Sequence, residues 1–172
     1  YLGTANGTSV TSCAAGKYKT AHTVYYGSTS SCSTCPSGYT SAAGATAQNK
    51  CYISVGAGKY IASANSSTQT SCAAGTYKAA HTVNYGSTSS CATCAAGTYN
   101  TGTGNTGCTT CPAGYYCTGG TNKTKCSAGT YRTSTGGTAS SSCSTCPAGY
   151  YCTGGSNKTA CPAGKYRNST GG

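Results

Sequence analysis

The stretch "CPAGYYCTGG" runs from Cys111 to Gly120 and returns unchanged from Cys146 to Gly155. Its first six residues have relatives at seven more places. These are CAAGKY from Cys13, CPSGYT from Cys35, CAAGTY from Cys72 and again from Cys94, CSAGTY from Cys126, CPAGKY from Cys161 and VGAGKY, without the cysteine, from Val55. A Cys-small-small-Gly-x-Tyr signal repeated nine times in 172 residues decides how this chain is organised.

Two longer periods lie over that signal. Tyr1–Gly38 matches Tyr60–Gly97 at a spacing of 59 residues, so that AHTVYYGSTSSCSTC (Ala21–Cys35) becomes AHTVNYGSTSSCATC (Ala80–Cys94). Cys111–Gly137 matches Cys146–Gly172 at a spacing of 35, carrying Arg132 onto Arg167. The periods divide the chain into repeats at 1–59, 60–110, 111–145 and 146–172, the last of them stopping mid-unit. On this pattern the natural chain is expected to continue past Gly172.

One module underlies both periods: an opening cysteine in C-x-x-G-x-Y, a polar loop and a closing cysteine. The next module usually opens after two residues, which produces C-x-x-C at Cys32/Cys35, Cys91/Cys94, Cys108/Cys111 and Cys143/Cys146. Joining each opener to its closer pairs Cys13–Cys32, Cys35–Cys51, Cys72–Cys91, Cys94–Cys108, Cys111–Cys117, Cys126–Cys143 and Cys146–Cys152. Cys161 is left over, with its partner expected beyond the chain. Between Cys51 and Cys72 both members of one expected bridge are absent together, Val55 standing at the opener and Gln69 near the closer. A crossed arrangement, Cys111–Cys126 with Cys117–Cys143, stays open, because spacing does not decide connectivity.

Composition explains why cross-links are needed. Large aliphatics amount to Leu2, Val10, Val24, Ile53, Val55, Ile61 and Val83, and Met, Phe and Trp are absent. Seven such side chains, at about 1.5–3 kcal/mol each when buried, cannot offset about 1–2 kcal/mol of backbone entropy per ordered residue. A bridge closing a loop of about 15 residues contributes roughly 3 kcal/mol in the chain-entropy model. Fifteen cysteines therefore mark a small disulfide-rich fold, an elongated array of short β-ribbon and turn modules with almost no helix and no large hydrophobic core. Each module is expected to contact mainly its neighbours. Gly after two small residues suits a tight turn, and Tyr supplies an amphipathic plate to lie on the disulfide.

The same cysteines place the chain in an oxidising compartment, extracellular or at the cell surface. No apolar run reaches the roughly 20 residues of a membrane helix, so no direct membrane insertion is expected in this segment. No signal peptide is visible, which reads as a mature protein or a fragment. Eleven Lys and Arg face no Asp or Glu, a net charge of +11. Such charge suits an anionic partner, but the cations are scattered and form no basic run, so nucleic acid is not expected.

Five N-x-[ST] sequons, at Asn6, Asn65, Asn122, Asn157 and Asn168, are candidate N-glycan acceptors. Asn6 and Asn65 are one long period apart, and Asn122 and Asn157 one short period apart. The Ser and Thr content also permits O-linked sugar. Cys91, Cys94, Cys108 and Cys111 come close to a four-cysteine zinc spacing, but the other cysteines follow the same module grammar, so no metal or cofactor is expected. Without carboxylates there is no acid–base pair or Ser-His-Asp triad, and His22 and His81 recur at equivalent positions as structural residues would. No enzyme is expected.

From Cys13 to the C-terminus, and most closely over Cys111–Gly172 with its CPAGYYCTGGTNKTKCSAGTYRTSTGGTASSSCSTCPAGYYC, the chain resembles the ephrin-receptor-like cysteine-rich repeats of large protist extracellular proteins. It is more distantly similar to growth-factor and tumour-necrosis-factor receptor modules. Departures are Ala14, Ala73 and Ala95 in place of proline, the lost bridge and the absent acids. The resemblance implies a disulfide-bonded, glycosylated extracellular protein of the surface-antigen or flagellar-hair type. The expected role is structural, a stapled rod that assembles with itself into a filament or coat; the alternative is a ligand-binding or spacer ectodomain.

Overall fold

The computed structural model describes every residue except Thr4, Asn6, Thr8 and Gly172. Among the described residues there is no α-helix, only single 3-10 turns at Gln48–Lys50 and Ser140–Ser142. The strands are short and pair two by two into eight ribbons. The protein is small, disulfide-rich and almost wholly β, as so much Gly, Ser and Thr and so few helix formers dictate.

Ribbon register explains the C-x-x-C spacing. Lys17–Tyr18 pairs with Ser33–Thr34, Thr76–Tyr77 with Ala92–Thr93, Thr98–Tyr99 with Thr109–Thr110 and Thr130–Tyr131 with Ser144–Thr145. In each case the two residues inside C-x-x-C are the strand that returns onto the module's own G-x-Y segment. Side chains along a strand alternate sides, so cysteines three apart face opposite ways. The first closes its own module and the second opens the next.

Seven disulfides follow: Cys13–Cys32, Cys35–Cys51, Cys72–Cys91, Cys94–Cys108, Cys111–Cys117, Cys126–Cys143 and Cys146–Cys152. The connectivity is uncrossed at Cys111 and Cys117. Cys161 is unpaired and half-buried.

The chain forms two compact units, one of residues 1–70 and 80–90, the other of residues 71–79 and 91–172. These do not coincide with the sequence repeats. The reason is one strand pair: Tyr52–Val55 takes His81–Asn84 as its antiparallel partner, drawing part of the second long repeat back into the first unit. That unit also holds a small core of Cys35, Tyr39, Cys51, Ile53, Val55, Ile61 and Val83, against which Tyr18 and Tyr85 pack. Four of the seven large aliphatics thus meet at one place.

Candidate functional site

The nine repeats share a backbone device. Every glycine of the C-x-x-G signal has positive φ: Gly16, Gly38, Gly58, Gly75, Gly97, Gly114, Gly129, Gly149 and Gly164 lie between +73° and +85°. Only glycine enters that region without a Cβ penalty. The turn exposes both polar groups of the glycine, and at six places the following module uses them.

At each of these joints three backbone hydrogen bonds form. At the joint of the modules opened by Cys111 and Cys126, the Cys126 N–H donates to Gly114 O (2.9 Å), the Gly114 N–H to Arg132 O (2.8 Å) and the Gly136 N–H to Cys111 O (2.7 Å). The same set recurs as Cys35/Gly16/Ser41 with Gly44 onto Cys13, and as Cys94/Gly75/Asn100 with Gly104 onto Cys72. It recurs again at Gly97 (Cys111, Cys117, and Gly120 onto Cys94), at Gly129 (Cys146, Cys152, and Gly155 onto Cys126) and at Gly149 (Cys161, Arg167, and Gly171 onto Cys146). The three bonds run between backbone groups at every joint, and only at Gly75 does a side chain, the Asn100 amide, share one of them.

Two elements of the joint escape a reading of the sequence. One is a second positive-φ glycine, nine or ten residues after the opener: Gly44, Gly104, Gly120, Gly136, Gly155 and Gly171. Its signal was present in the repeated TGG of the quoted stretch. The other is the residue six places after the opener, which is Ser41, Asn100, Cys117, Arg132, Cys152 or Arg167 at successive joints. No shared identity could mark it. At Asn100 the buried amide is fully used: Oδ1 accepts from the Gly75 N–H at 2.6 Å, while Nδ2 donates to Thr76 O at 3.1 Å and to Cys94 Sγ at 3.3 Å.

Within the second unit the modules are tied mainly to their neighbours, as expected, and contact also reaches one module further. A Cβ on Gly114 would lie 2.7 Å from the Ser156 N and 2.8 Å from the Gly155 carbonyl carbon, two modules on. On Gly75 it would meet Gly120 at 2.9 Å, again two modules on. Bare backbone packs on bare backbone, which is how these units bury surface without large side chains.

The sequons at Asn122 and Asn157 belong to the same machinery. Asn122 lies on the ribbon Tyr115–Gly119 with Asn122–Lys125 and is exposed; Asn157 and its Thr159 are also exposed. The middle residue of each sequon is a lysine held between two tyrosine rings. Lys123 Nζ is 5.0 Å from the Tyr99 ring and 5.3 Å from that of Tyr115, and Lys158 Nζ is 5.4 Å from Tyr131 and 4.8 Å from Tyr150. Each cation bridges a module and the next. With no carboxylate side chain in the sequence, aromatic faces serve as the lysines' partners.

Asn65 is exposed, at φ +63°, and Asn168 is exposed; Asn6 lies outside the described residues. Cys91, Cys94, Cys108 and Cys111 are all in disulfides, so their thiolates are not free for zinc. No group of three or more metal-ligating side chains occurs among the described residues. His22 is exposed with Nδ1 3.0 Å from Thr20 O, and His81 has Nε2 2.9 Å from Ser89 Oγ; neither meets a nucleophile–base–acid set. Among the described residues no helix is long and apolar enough to cross a membrane, and the seven disulfides fit a secreted or extracellular protein.

No protein-family model matches the chain, and no characterised protein matches it in sequence.

Proposed function

We propose that this protein is structural, a disulfide-stapled and N-glycosylated array of modules that builds an extracellular filament or cell-surface coat by association with itself. The observation that carries the proposal is the joint. The same three backbone bonds recur six times across modules whose side chains differ. A joint independent of side-chain identity suits lengthening by duplication. The resemblance to ephrin-receptor-like repeats points the same way. Exposed sequons at Asn65, Asn122, Asn157 and Asn168 suit a sugar-coated surface, and the reading assigns no catalytic residue.

Electron microscopy of the oxidised chain, produced in a secretory host, tests this. Regular fibres with a repeating subunit, dispersed by reductant, are expected. Isolated particles at every concentration would overturn the filament reading in favour of a spacer ectodomain. Peptide mass spectrometry of the same material checks the sequons, glycan being expected on Asn122 and Asn157.

A further inference from the structure

The repeated stretch carries two tyrosines side by side, Tyr115 with Tyr116 and, one short period later, Tyr150 with Tyr151. Neighbours on a strand point to opposite faces, so the two rings of each pair have different surroundings. The first ring of each pair meets the sequon lysine, Lys123 or Lys158. The second lies on the face that carries the sequon's other two residues.

Register fixes this. Lys125 stands opposite Tyr115, Thr124 opposite Tyr116 and Asn122 opposite Gly119. Lys123 and Lys125 therefore share the Tyr115 face, which is engaged in both directions. Lys123 reaches back to Tyr99, and the Lys125 stem packs on Gly155, where an added Cβ would lie 3.0 Å from its Cε. Asn122 and Thr124 share the other face with Tyr116; both are exposed, and Tyr116 is partly so. Directly opposed residues have Cβ atoms about 4.5–5.5 Å apart and diagonal ones lie about 7–8 Å away, within reach of an aromatic ring. Tyr116 thus stands opposite the sequon threonine and diagonal to the sequon asparagine. Gly119, across from Asn122, has no side chain to fill the space beside the amide. The second copy repeats the arrangement. Tyr151 pairs with Thr159, two residues after Asn157, and is 40% exposed, and Gly154 holds the place of Gly119.

We propose that Tyr116 and Tyr151 are sugar platforms, each taking the innermost N-acetylglucosamine of the glycan on Asn122 or Asn157. The inference rests on the N-glycosylation proposed above. A β-linked N-acetylglucosamine holds its hydroxyls and acetamide around the rim of the ring and presents C–H groups on its faces. Those weakly positive hydrogens suit the negative face of a tyrosine ring, whose polar hydroxyl stays at the wet edge. Asn65 and Asn168 lie outside the strands and have no tyrosine across a ribbon from them.

The test uses the oxidised, glycosylated chain from a secretory host, its glycans trimmed enzymatically to single N-acetylglucosamines. Nuclear Overhauser contacts between the Tyr116 ring and the sugar on Asn122 are expected. The sugar's ring protons should also shift upfield of those in free N-acetylglucosaminyl-asparagine. Tyr116→Phe should keep both signals and Tyr116→Leu should lose them, the sugar on Asn157 staying unchanged. Should Tyr116→Leu fail to form its disulfides, Tyr151→Leu at the more exposed ring gives the same readout on Asn157. A sugar on Asn122 with the shifts of the free compound, or signals that persist in Tyr116→Leu, overturns the platform and leaves the glycosylation reading standing. Peptide masses showing Asn122 and Asn157 both bare overturn that reading and the platform with it.

Discussion

The six glycine joints and the interval between Cys51 and Cys72 hold modules together by opposite means. At the joints a disulfide closes each module and the same three backbone bonds tie it to the next, with the Asn100 amide and the lysine clamps added at some of them. In the interval the expected bridge is missing, and side chains replace it. Val55 is buried with Ile53, Ile61 and Val83, and Gln69 spans the gap in the backbone. Its Oε1 accepts from the Gly56 N–H at 3.0 Å and its Nε2 donates to Ser54 O at 3.1 Å, gripping the chain on both sides of Val55. A covalent staple and a small aliphatic core are thus exchangeable solutions to one problem, the shortage of buried apolar surface.

The comparison breaks most sharply at Gly114. Gly114→Ala combines a left-handed backbone with a Cβ driven against Ser156 and Gly155 and should cost about 3 kcal/mol or more. Gly149→Ala occupies the same place in its module with nothing within 4 Å of the added carbon, and should cost only about 1–2 kcal/mol. Denaturant midpoints under non-reducing conditions separate the two. Equal losses would show that next-but-one packing contributes nothing.

In the interval the core should dominate. Ile61 is fully buried, so Ile61→Ala is expected to lose roughly 2–5 kcal/mol. Leu2, its counterpart one long period earlier, is only half-buried, and Leu2→Ala should lose much less. Calorimetry of both variants measures how far the aliphatic cluster differs from the copy that lacks it.

Gln69→Ala removes two hydrogen bonds at a partly exposed site where water can replace them. A loss of about 1 kcal/mol is expected. Faster exchange at the Gly56 amide would report the opened clip directly. A variant as stable as the parent, with that amide unchanged, would mean Val55 alone bridges the interval.

The smallest effect belongs to the sequon lysines. Lys123→Ala keeps the sequon and takes a cation from between Tyr99 and Tyr115, an exposed site where about 0.5–1 kcal/mol is at stake. Chemical shifts of the two rings should change, while glycan occupancy at Asn122 should not.

Much of the fold is legible in the residues themselves. The nine signals locate the turns, and the C-x-x-C spacing implies the return strands. The paired absence at Val55 and Gln69 locates the place where the pattern is broken. What replaces the bridge is not legible, because Gln69 looks like any polar loop residue until its amide is seen across the strand. The lysine clamps are hidden for a similar reason: Lys123 and Tyr99 are 24 residues apart and meet only across a joint. Asn100, Ser41 and Arg132 share a register but no chemistry, so no pattern of letters could group them.

The two AHTV segments mark the boundary between the two kinds of information. Sequence by itself determined the turn after each of them, because a positive-φ glycine and its short-range bond form from adjacent residues. It also determined where cysteines are available to bridge. Only the tertiary structure decided that His81–Asn84 is a strand and His22–Tyr25 is not, since the letters nearly coincide. A strand is completed by a partner, and among the described residues Tyr52–Val55 pairs with the second copy.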